Sequence, residues 1–143
     1  MVELISEKIS VDKILNAVED HSTGAVVLFL GRVRDHANGR QVTRMAYEAY
    51  SEMAQKKMQE IEDEVKNRWP VQKITMIHRT GELELGEVSV AIAVACPHRK
   101  EAFEACRFAI DTLKETVPIW KKEHYTDGET WVEGTVPNPG ITQ

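Results

Sequence analysis

The chain has 143 residues, of which 42% are apolar and 29% are charged, with 8 glycines and 5 prolines. This balance is typical of a folded globular protein, and the length predicts one domain, because a chain of this size has room for a single core. We expect the domain to span residues 1–134 and an irregular tail to span 135–143, because two prolines and two glycines fall in the last ten residues.

The formal net charge of -5 argues against broad nucleic-acid binding, since that affinity comes largely from cations that neutralise phosphates. No apolar run approaches the roughly 20 residues that span a bilayer, and the N-terminus lacks a basic region followed by an apolar stretch. We therefore expect a cytoplasmic protein with no membrane or nucleic-acid partner. Cys96 and Cys106 belong to no CxxC pair and no Cys/His pattern, so neither a disulfide nor a metal site is expected.

The first half of the chain predicts a strand, a helix and two further strands. The first strand is expected within 4–9, and Ser10 is a suitable N-cap for the helix that follows. The apolar run 25–30 predicts a strand covered on both faces, and 42–50 predicts another, rich in β-branched and aromatic residues. The helical residues expected in the core are Ile14, Leu15 and Val18.

The second half predicts two long helices and four strands. Apolar residues recur at three- and four-residue spacing from Ser51 to Trp69, and again from Pro97 to Pro118. The strands are expected at 73–78, 88–96, 119–125 and 129–132, with a turn at 81–86 between the first two. The apolar stripe of the last helix is Ala102, Phe103, Cys106, Ala109, Ile110, Leu113 and Val117.

The predicted order of elements is β-α-β-β-α-β-β-α-β-β. Several of the strands are separated only by turn signals, which favours antiparallel neighbours. We therefore predict an α+β fold, a single-domain sandwich of mostly antiparallel sheet with three helices.

Positively charged side chains stand where strands and helices begin or end. Arg32 and Arg34 follow the apolar strand, and His98 and Arg99 begin the last helix. A helix N-terminus offers free backbone N–H groups and a favourable dipole, which are the ingredients of a phosphate site. These chain-distant segments are candidates to converge on an anionic ligand, although loop arginines are commonly solvated.

Two lysines extend this set. Lys114 lies in the last turns of the helix, and Lys121 begins the next strand directly after Trp120. A lysine beside a bulky apolar residue can be partly desolvated, which lowers its pKa and lets it act as base, nucleophile or anion clamp. The alternative for Lys114 is structural, because a cation near a helix C-terminus stabilises the dipole by roughly 0.3–1 kcal/mol. Phe29 is a candidate to flank a flat heterocycle, although aromatic residues in strands are more often core.

Several stretches carry a resemblance when their order and spacing are taken together. They are 24–36, 47–50, 67–70, 77–83, 98–99 with 102–105, and 113–114 followed by 118–121. Over these stretches the chain resembles the molybdopterin synthase large (catalytic) subunit family. By that resemblance the active-site arginine falls on Arg34, the histidine–arginine pair on His98 and Arg99, and the two essential lysines on Lys114 and Lys121.

The resemblance implies an α/β-hammerhead-like sandwich that needs no bound cofactor. It also implies a homodimer flanked by two copies of a small ubiquitin-like sulfur carrier, a 2+2 heterotetramer. The C-terminal Gly-Gly thiocarboxylate of the carrier would supply two sulfurs to cyclic pyranopterin monophosphate, giving the dithiolene of molybdopterin. Arg34, His98, Arg99 and Phe29 are then the expected substrate-binding residues, and Lys114 and Lys121 the expected catalytic residues.

Two alternatives stay open from the residues alone. One is a non-enzymatic module that binds the C-terminal carboxylate of a ubiquitin-like partner. The other is an unrelated enzyme that binds a phosphate ester or nucleotide, although neither GxxxxGK nor GxGxxG is present.

Overall fold

The computed structural model describes residues 1–37, 39–126 and 128–132. The elements along these residues are β1 (Val2–Ile5), α1 (Val11–Ala17), β2 (Ala25–Arg32), β3 (His36–Ala37), β4 (Arg40–Ala49), α2 (Ser51–Arg68), β5 (Lys73–Arg79), β6 (Gly81–Glu84), β7 (Val88–Cys96), α3 (Arg99–Thr116), β8 (Ile119–Tyr125) and β9 (Gly128–Val132). The predicted order is confirmed, with β3 and β6 as additions. The predicted tail, 135–143, lies outside the described residues, as do the last two residues of the predicted domain.

The strands form two sheets. The first has the order β1-β5-β7-β2, in which β1 and β5 run parallel and the other pairs antiparallel. The second has the order β3-β4-β8-β9, and β6 also pairs with β4. All pairs described in this sheet are antiparallel. The predicted α+β fold of mostly antiparallel sheet with three helices is confirmed. No helix within the described part of the chain is long and apolar enough to cross a membrane.

Strand β7 shows how side-chain size sets the layers. Its small residues Ala91, Ala93 and Ala95 face α1, where they pack against Ile14 and Val18. Successive side chains of a strand point to opposite faces, so a row of alanines lets the short helix approach closely. The larger residues of β7, on the opposite face, are Val90, Ile92 and Val94. Burying a side chain of that size contributes about 1.5–3 kcal/mol.

The main core joins the first sheet, helices α2 and α3, and the inner face of the second sheet. Met58 of α2, Leu113 of α3, and Met45 and Leu83 of the second sheet are all buried in it. The helical spacing of apolar residues in α2 and α3 therefore supports the core as predicted.

Two residues expected in the core are exposed. Leu15 is 40% exposed and Phe103 is 62% exposed. Each follows a fully packed residue, Ile14 or Ala102, by one position. One residue is a rotation of about 100° around a helix axis, which turns the side chain off the buried stripe.

Two predicted boundaries are wrong. The first strand is Val2–Ile5 rather than 4–9, because its parallel partner β5 ends at Arg79, opposite Ile5. The segment expected only as a turn at 81–86 contains β6, whose Leu83 is buried and pairs with Met45. A buried leucine between two exposed glutamates is the alternation expected of a short strand. The flanking glycines had made the segment look like a turn.

Candidate active site

The ladder between β2 and β7 sets the distances in the candidate site. It pairs Ala25 with Cys96 at one end and Arg32 with Val88 at the other. Eight residues of strand at about 3.3 Å each separate the two ends by roughly 25 Å. The candidate cations divide between these two ends.

One end carries His98 and Arg99, and we call it the histidine end. Gly24 N–H donates to Cys96 O at 3.1 Å, and a Cβ on Gly24 would stand 2.2 Å from Pro97 O. Only glycine permits this approach, because any Cβ would overlap the neighbouring backbone. The close contact fixes the start of α3 beside the start of β2.

At the histidine end, both basic side chains are exposed. His98 is the N-cap of α3, with extended backbone (φ -132°, ψ 154°), and among the described residues its side chain makes no capping hydrogen bond. The first backbone N–H groups of a helix have no partner within the helix, and its dipole is positive there. His98, Arg99 and this helix end together can hold an anion.

Helix α3 runs back from the histidine end along β7. Midway, Cys106 Sγ lies 3.9 Å from Ile92 O. A rise of about 1.5 Å per residue carries Lys114 roughly 12 Å further, toward the start of β7. A two-residue connection then leads into β8, whose third residue is Lys121. We call this region, defined by Lys114 and Lys121, the lysine end.

Lys121 belongs to the inner face of the second sheet. It lies directly opposite Tyr47 of β4. The buried residues of β8 are Ile119, Glu123 and Tyr125, which share a face with Lys121 because strand side chains alternate. Lys121 is thus half-buried toward the interior, whereas the next lysine along the strand points to the opposite face.

Two effects lower the pKa of Lys114. The larger is desolvation by the surrounding protein, and the second is the positive charge of Lys121. Lys114 as a whole residue is nevertheless exposed, so solvent screens part of both effects on its pKa. Two ammonium groups that repel each other across a partly desolvated space favour an anion between them.

Phe29 and Arg34 also lie toward the lysine end. Phe29 is half-buried, and its Cε2 lies 3.5 Å from the position that a Cβ on Gly31 would take, so the ring extends toward the end of β2. Arg34 is exposed and follows Val33, whose N–H donates to Glu87 O at 3.0 Å. The arginine therefore stands beyond the lysine end of the ladder, far from the start of α3.

Three buried polar residues, which we call the polar cluster, lie beneath the lysine end: His78, Tyr47 and Ser89. The His78 ring centroid is 5.0 Å from that of Tyr47, edge-on at 68°, and His78 Nδ1 is 2.8 Å from Arg79 O. Ser89 is the extra residue of a β-bulge in β7, and its hydroxyl donates to Gly31 O at 3.3 Å. Bulges redirect side chains, and this one adds a hydroxyl beside Tyr47.

Burial dominates the electrostatics of the polar cluster. It lowers the pKa of His78 to about 4; the hydrogen bond to Arg79 opposes this shift and the charge of Lys114 adds to it. Burial raises the pKa of Tyr47, against a hydrogen bond with Ser89 and with a further contribution from the charge of Glu123. His78 is therefore neutral, and Tyr47 keeps its proton, throughout the neutral pH range. Over the side chains that the structure describes, no three His, Cys, Asp or Glu residues gather as a metal site.

Comparison with known proteins identifies the family. Residues 4–116 match the family model described as MoaE protein. The chain belongs to the MoaE protein family. It is 44% identical over 128 residues to the molybdopterin synthase catalytic subunit of Pyrococcus abyssi. The match covers 90% of this chain and 86% of that protein. By this membership the chain is an enzyme subunit of the molybdopterin synthase type.

Solved structures agree. The crystal structure of molybdopterin synthase from Staphylococcus aureus matches with a TM-score of 0.87 at 41% identity, over 91% of this chain and 95% of that one. A complex of subunits 1 and 2 of molybdopterin-converting factor from Helicobacter pylori matches with a TM-score of 0.76 at 21% identity, over 92% and 89% of the two chains. The second likeness is one of fold alone.

In this member of the MoaE family, one subunit brings only part of the predicted set together. Lys114, Lys121 and, toward the same end, Phe29 and Arg34 are grouped, whereas the histidine–arginine pair stands at the other end of the ladder. The candidate cations are divided in this way because the antiparallel pairing of β2 and β7 sends the residues that follow each strand in opposite directions.

Sequence reasoning also missed the polar cluster and the buried Glu123, which accepts a hydrogen bond from the Tyr125 hydroxyl. The available signal was a polar residue at a core position of an alternating strand. His78 continues the buried row of Ile74 and Met76 in β5, and such a residue is retained only where its polar atoms have partners.

Proposed function

We propose that the chain transfers two sulfur atoms from the C-terminal thiocarboxylate of a small ubiquitin-like carrier to cyclic pyranopterin monophosphate, forming the dithiolene of molybdopterin. Beyond family membership, one observation carries the proposal: Lys114 and Lys121, from different elements, are close enough for the charge of one to lower the pKa of the other. Paired cations in a partly desolvated space suit a reaction in which substrate, sulfur donor and intermediates are all anions.

The lysines act on the charges that develop during transfer. The thiocarboxylate sulfur attacks a side-chain carbon of the pterin, and water leaves. A water molecule then attacks the carbonyl of the resulting thioester. The carbon–sulfur bond to the carrier breaks, and the carrier departs as a carboxylate. A second carrier repeats the transfer, and the cyclic phosphate opens. Lys121 and Lys114 stabilise the thiocarboxylate anion and the oxyanion that forms at the carrier carbonyl, or they carry protons during the transfer.

The phosphate requires two copies of the chain. Arg34 and the pair His98–Arg99 are about 25 Å apart along the β2–β7 ladder, whereas an arginine side chain reaches only some 7 Å from its Cα. A phosphate that is bound by both groups must therefore take Arg34 from one copy and His98–Arg99 from another. This requirement supports a homodimer, with one carrier bound at each lysine end to give a 2+2 heterotetramer. Phe29, with its ring directed toward the lysine end, is proposed to flank the pterin.

The carrier reaches the lysine end from solvent, since Lys114 is exposed while Lys121 is half-buried below it. We propose a cytoplasmic setting, where the buried Cys96 and Cys106 remain free thiols.

The test is reconstitution with thiocarboxylated carrier and cyclic pyranopterin monophosphate. Wild type, Lys114→Ala and Lys121→Ala are compared for dithiolene product, with Lys122→Ala as the matched control, because Lys122 lies on the opposite face of β8. We expect Lys121→Ala to lower kcat by about 100-fold, the usual loss for one group that stabilises a developing oxyanion. Lys122→Ala should stay near wild type.

Assembly is measured in parallel by sedimentation with the carrier. A wild type that binds the carrier and makes no product would contradict the enzymatic proposal and favour a binding module. Equal losses in the Lys121 and Lys122 variants would contradict the role of Lys121, because a general loss of surface charge would then explain both.

A further inference from the structure

His78 is the residue whose burial is hardest to explain by packing alone. It is 2% exposed and lies on β5, a central strand of the first sheet, paired with Val90 of β7 and Leu4 of β1. Apolar residues of similar size would fill the same volume without a polar group to desolvate, which commonly costs about 1–3 kcal/mol in proteins. A polar residue at such a position points to a function in the nearby site.

The contacts of His78 define its protonation. Its Nδ1 lies 2.8 Å from Arg79 O, and a carbonyl oxygen only accepts, so Nδ1 carries the proton. In the neutral ring Nε2 then keeps its lone pair. This hydrogen bond also fixes the plane of the imidazole, because the Arg79 carbonyl belongs to the rigid backbone of the next residue.

Charged and titratable groups approach His78 from two sides. Tyr47 of β4 meets its ring edge-on, with the centroids 5.0 Å apart. Lys114 of α3 acts on it electrostatically. Behind Tyr47, β8 places two charged residues, Lys121 and Glu123, on the same inner face. A charged imidazole here would add a third positive charge next to the two lysines.

We propose that His78 is a positioning residue of the lysine end: its neutral, backbone-anchored imidazole fixes the Tyr47 ring, and Tyr47 in turn fixes Lys121, its directly opposed partner on β8. Directly opposed residues of antiparallel strands have Cβ atoms about 4.5–5.5 Å apart, so a rotation of Tyr47 displaces the lysine stem. Ser89, whose hydroxyl donates to Gly31 O, also lies close enough to Tyr47 to influence its hydroxyl. The inference rests on the proposed function of Lys121, and it adds a residue that does not touch substrate.

The first experiment compares His78→Phe with Ile77→Val. Phenylalanine keeps an aromatic ring but loses both nitrogens and hence the anchor to Arg79, whereas Ile77 is the adjacent buried residue on the opposite face of β5. We expect His78→Phe to lower kcat per folded site by about tenfold, with KM changed less than threefold, because positioning acts on the transition state. Ile77→Val should leave both constants near wild type.

The second experiment needs no substrate, so it separates this inference from the proposed function. Nitrogen-15 NMR of the wild type should show His78 as the neutral Nδ1–H tautomer at pH 7, and the Lys121 side-chain resonances should shift in His78→Phe but not in Ile77→Val. An Nε2–H tautomer, or unmoved Lys121 resonances in a folded variant, would overturn the inference. So would equal losses of kcat in the two variants. If the wild type makes no product at all, the reaction assigned to the lysines has failed, and the NMR results alone decide the role of His78.

Discussion

The two ends of the β2–β7 ladder are built in different ways. At the lysine end, half-buried Lys121 stands above buried polar residues that are fixed by hydrogen bonds to backbone carbonyls and by a ring contact. At the histidine end, His98 and Arg99 are exposed on a helix terminus, and the backbone of Gly24 approaches Pro97 closely. The first arrangement is preorganised below the surface, and the second is a fixed backbone that carries exposed side chains.

This difference matches two kinds of work. Groups that stabilise a transition state act best when neighbouring residues hold them in place, because no energy is then spent on reorganisation during the reaction. Groups that bind a remote phosphate need only charge and donors, which an exposed helix N-terminus supplies. We therefore expect changes to the two lysines and their buried supports to affect kcat, and changes to the exposed residues proposed to bind phosphate to affect KM.

The largest expected effect is that of pH on stability through His78. The pKa of His78 is about 4 in the folded chain and about 6.5 in a model peptide, so only the unfolded state takes up this proton between those values. The contribution of neutral, buried His78 to the free energy of unfolding is fully present above pH 6.5 and is lost as pH falls toward 4. The total loss is about 3 kcal/mol.

Urea unfolding of wild type and His78→Gln at pH 7 and pH 4.5 measures this effect. Glutamine stays neutral, so the free energy of unfolding should fall less with acid in the variant, while the carboxylates that the two proteins share contribute equally. An identical fall in both proteins would mean that His78 does not cause the acid sensitivity. The buried histidine would then no longer distinguish the lysine end from the histidine end.

The next effect tests the backbone approach at the histidine end. Gly24→Ala would bring a Cβ within 2.2 Å of Pro97 O, and backbone cannot move aside as a flexible side chain does. We expect a loss of about 1–3 kcal/mol in the free energy of unfolding, as for an overpacked site. Gly31→Ala is the matched control, because its new Cβ would meet a side-chain methyl of Val90 instead. If Gly24→Ala is no more destabilising than that control, the close approach does not fix the start of α3.

The elements could be predicted from the sequence, but their convergence could not. Alternation and helical spacing depend on nearby residues, so α2, α3 and the strand at 88–96 were predicted near their observed bounds. The separation of Arg34 from His98 depends on which strand pairs with β2 and in which direction, and no local pattern records that choice. Leu15 and Phe103 were wrongly assigned to the core for a related reason. For a residue at the border of an apolar stripe, burial depends on which neighbouring element packs over it.

The candidate site was predictable as a list of residue types and not as a geometry. Lys114 and Lys121 could be named because one lies in the last turns of a predicted helix and the other directly follows Trp120 at the start of a predicted strand. The polar cluster was not, because the contact of His78 with Tyr47 joins strands of two different sheets. The exposed loop residue Arg34 could be named from the resemblance, but its distance from Arg99 required the structure.

A smaller effect is expected for Arg34 and Arg99, the arginines proposed to bind phosphate. Arg34→Ala and Arg99→Ala should each raise KM by about tenfold with little change in kcat, as expected when a binding interaction is lost equally from ground and transition states. If the phosphate is shared between copies, mixing the two variants in equal amounts restores about one quarter of the sites, since half of the dimers are mixed and one of their two sites is intact. No recovery on mixing would contradict the shared site and would imply separate roles for the two ends. Lys100→Ala controls for loss of charge beside Arg99.

The smallest effect is expected for Arg32, which stands two residues from Arg34 and has the same charge. Its Nε donates to Gly86 O at 3.0 Å, so its guanidinium is held against the turn between β6 and β7 rather than turned toward the lysines. Arg32→Ala should leave KM and kcat near wild type and lower the free energy of unfolding by about 0.5–1.5 kcal/mol, the net value of one hydrogen bond. Steady-state kinetics and urea unfolding of Arg32→Ala beside Arg34→Ala measure both quantities. An increase in KM as large as that of Arg34→Ala would mean that charge anywhere after β2 is sufficient, and that the lysine end selects its anion by overall potential rather than by the position of one arginine.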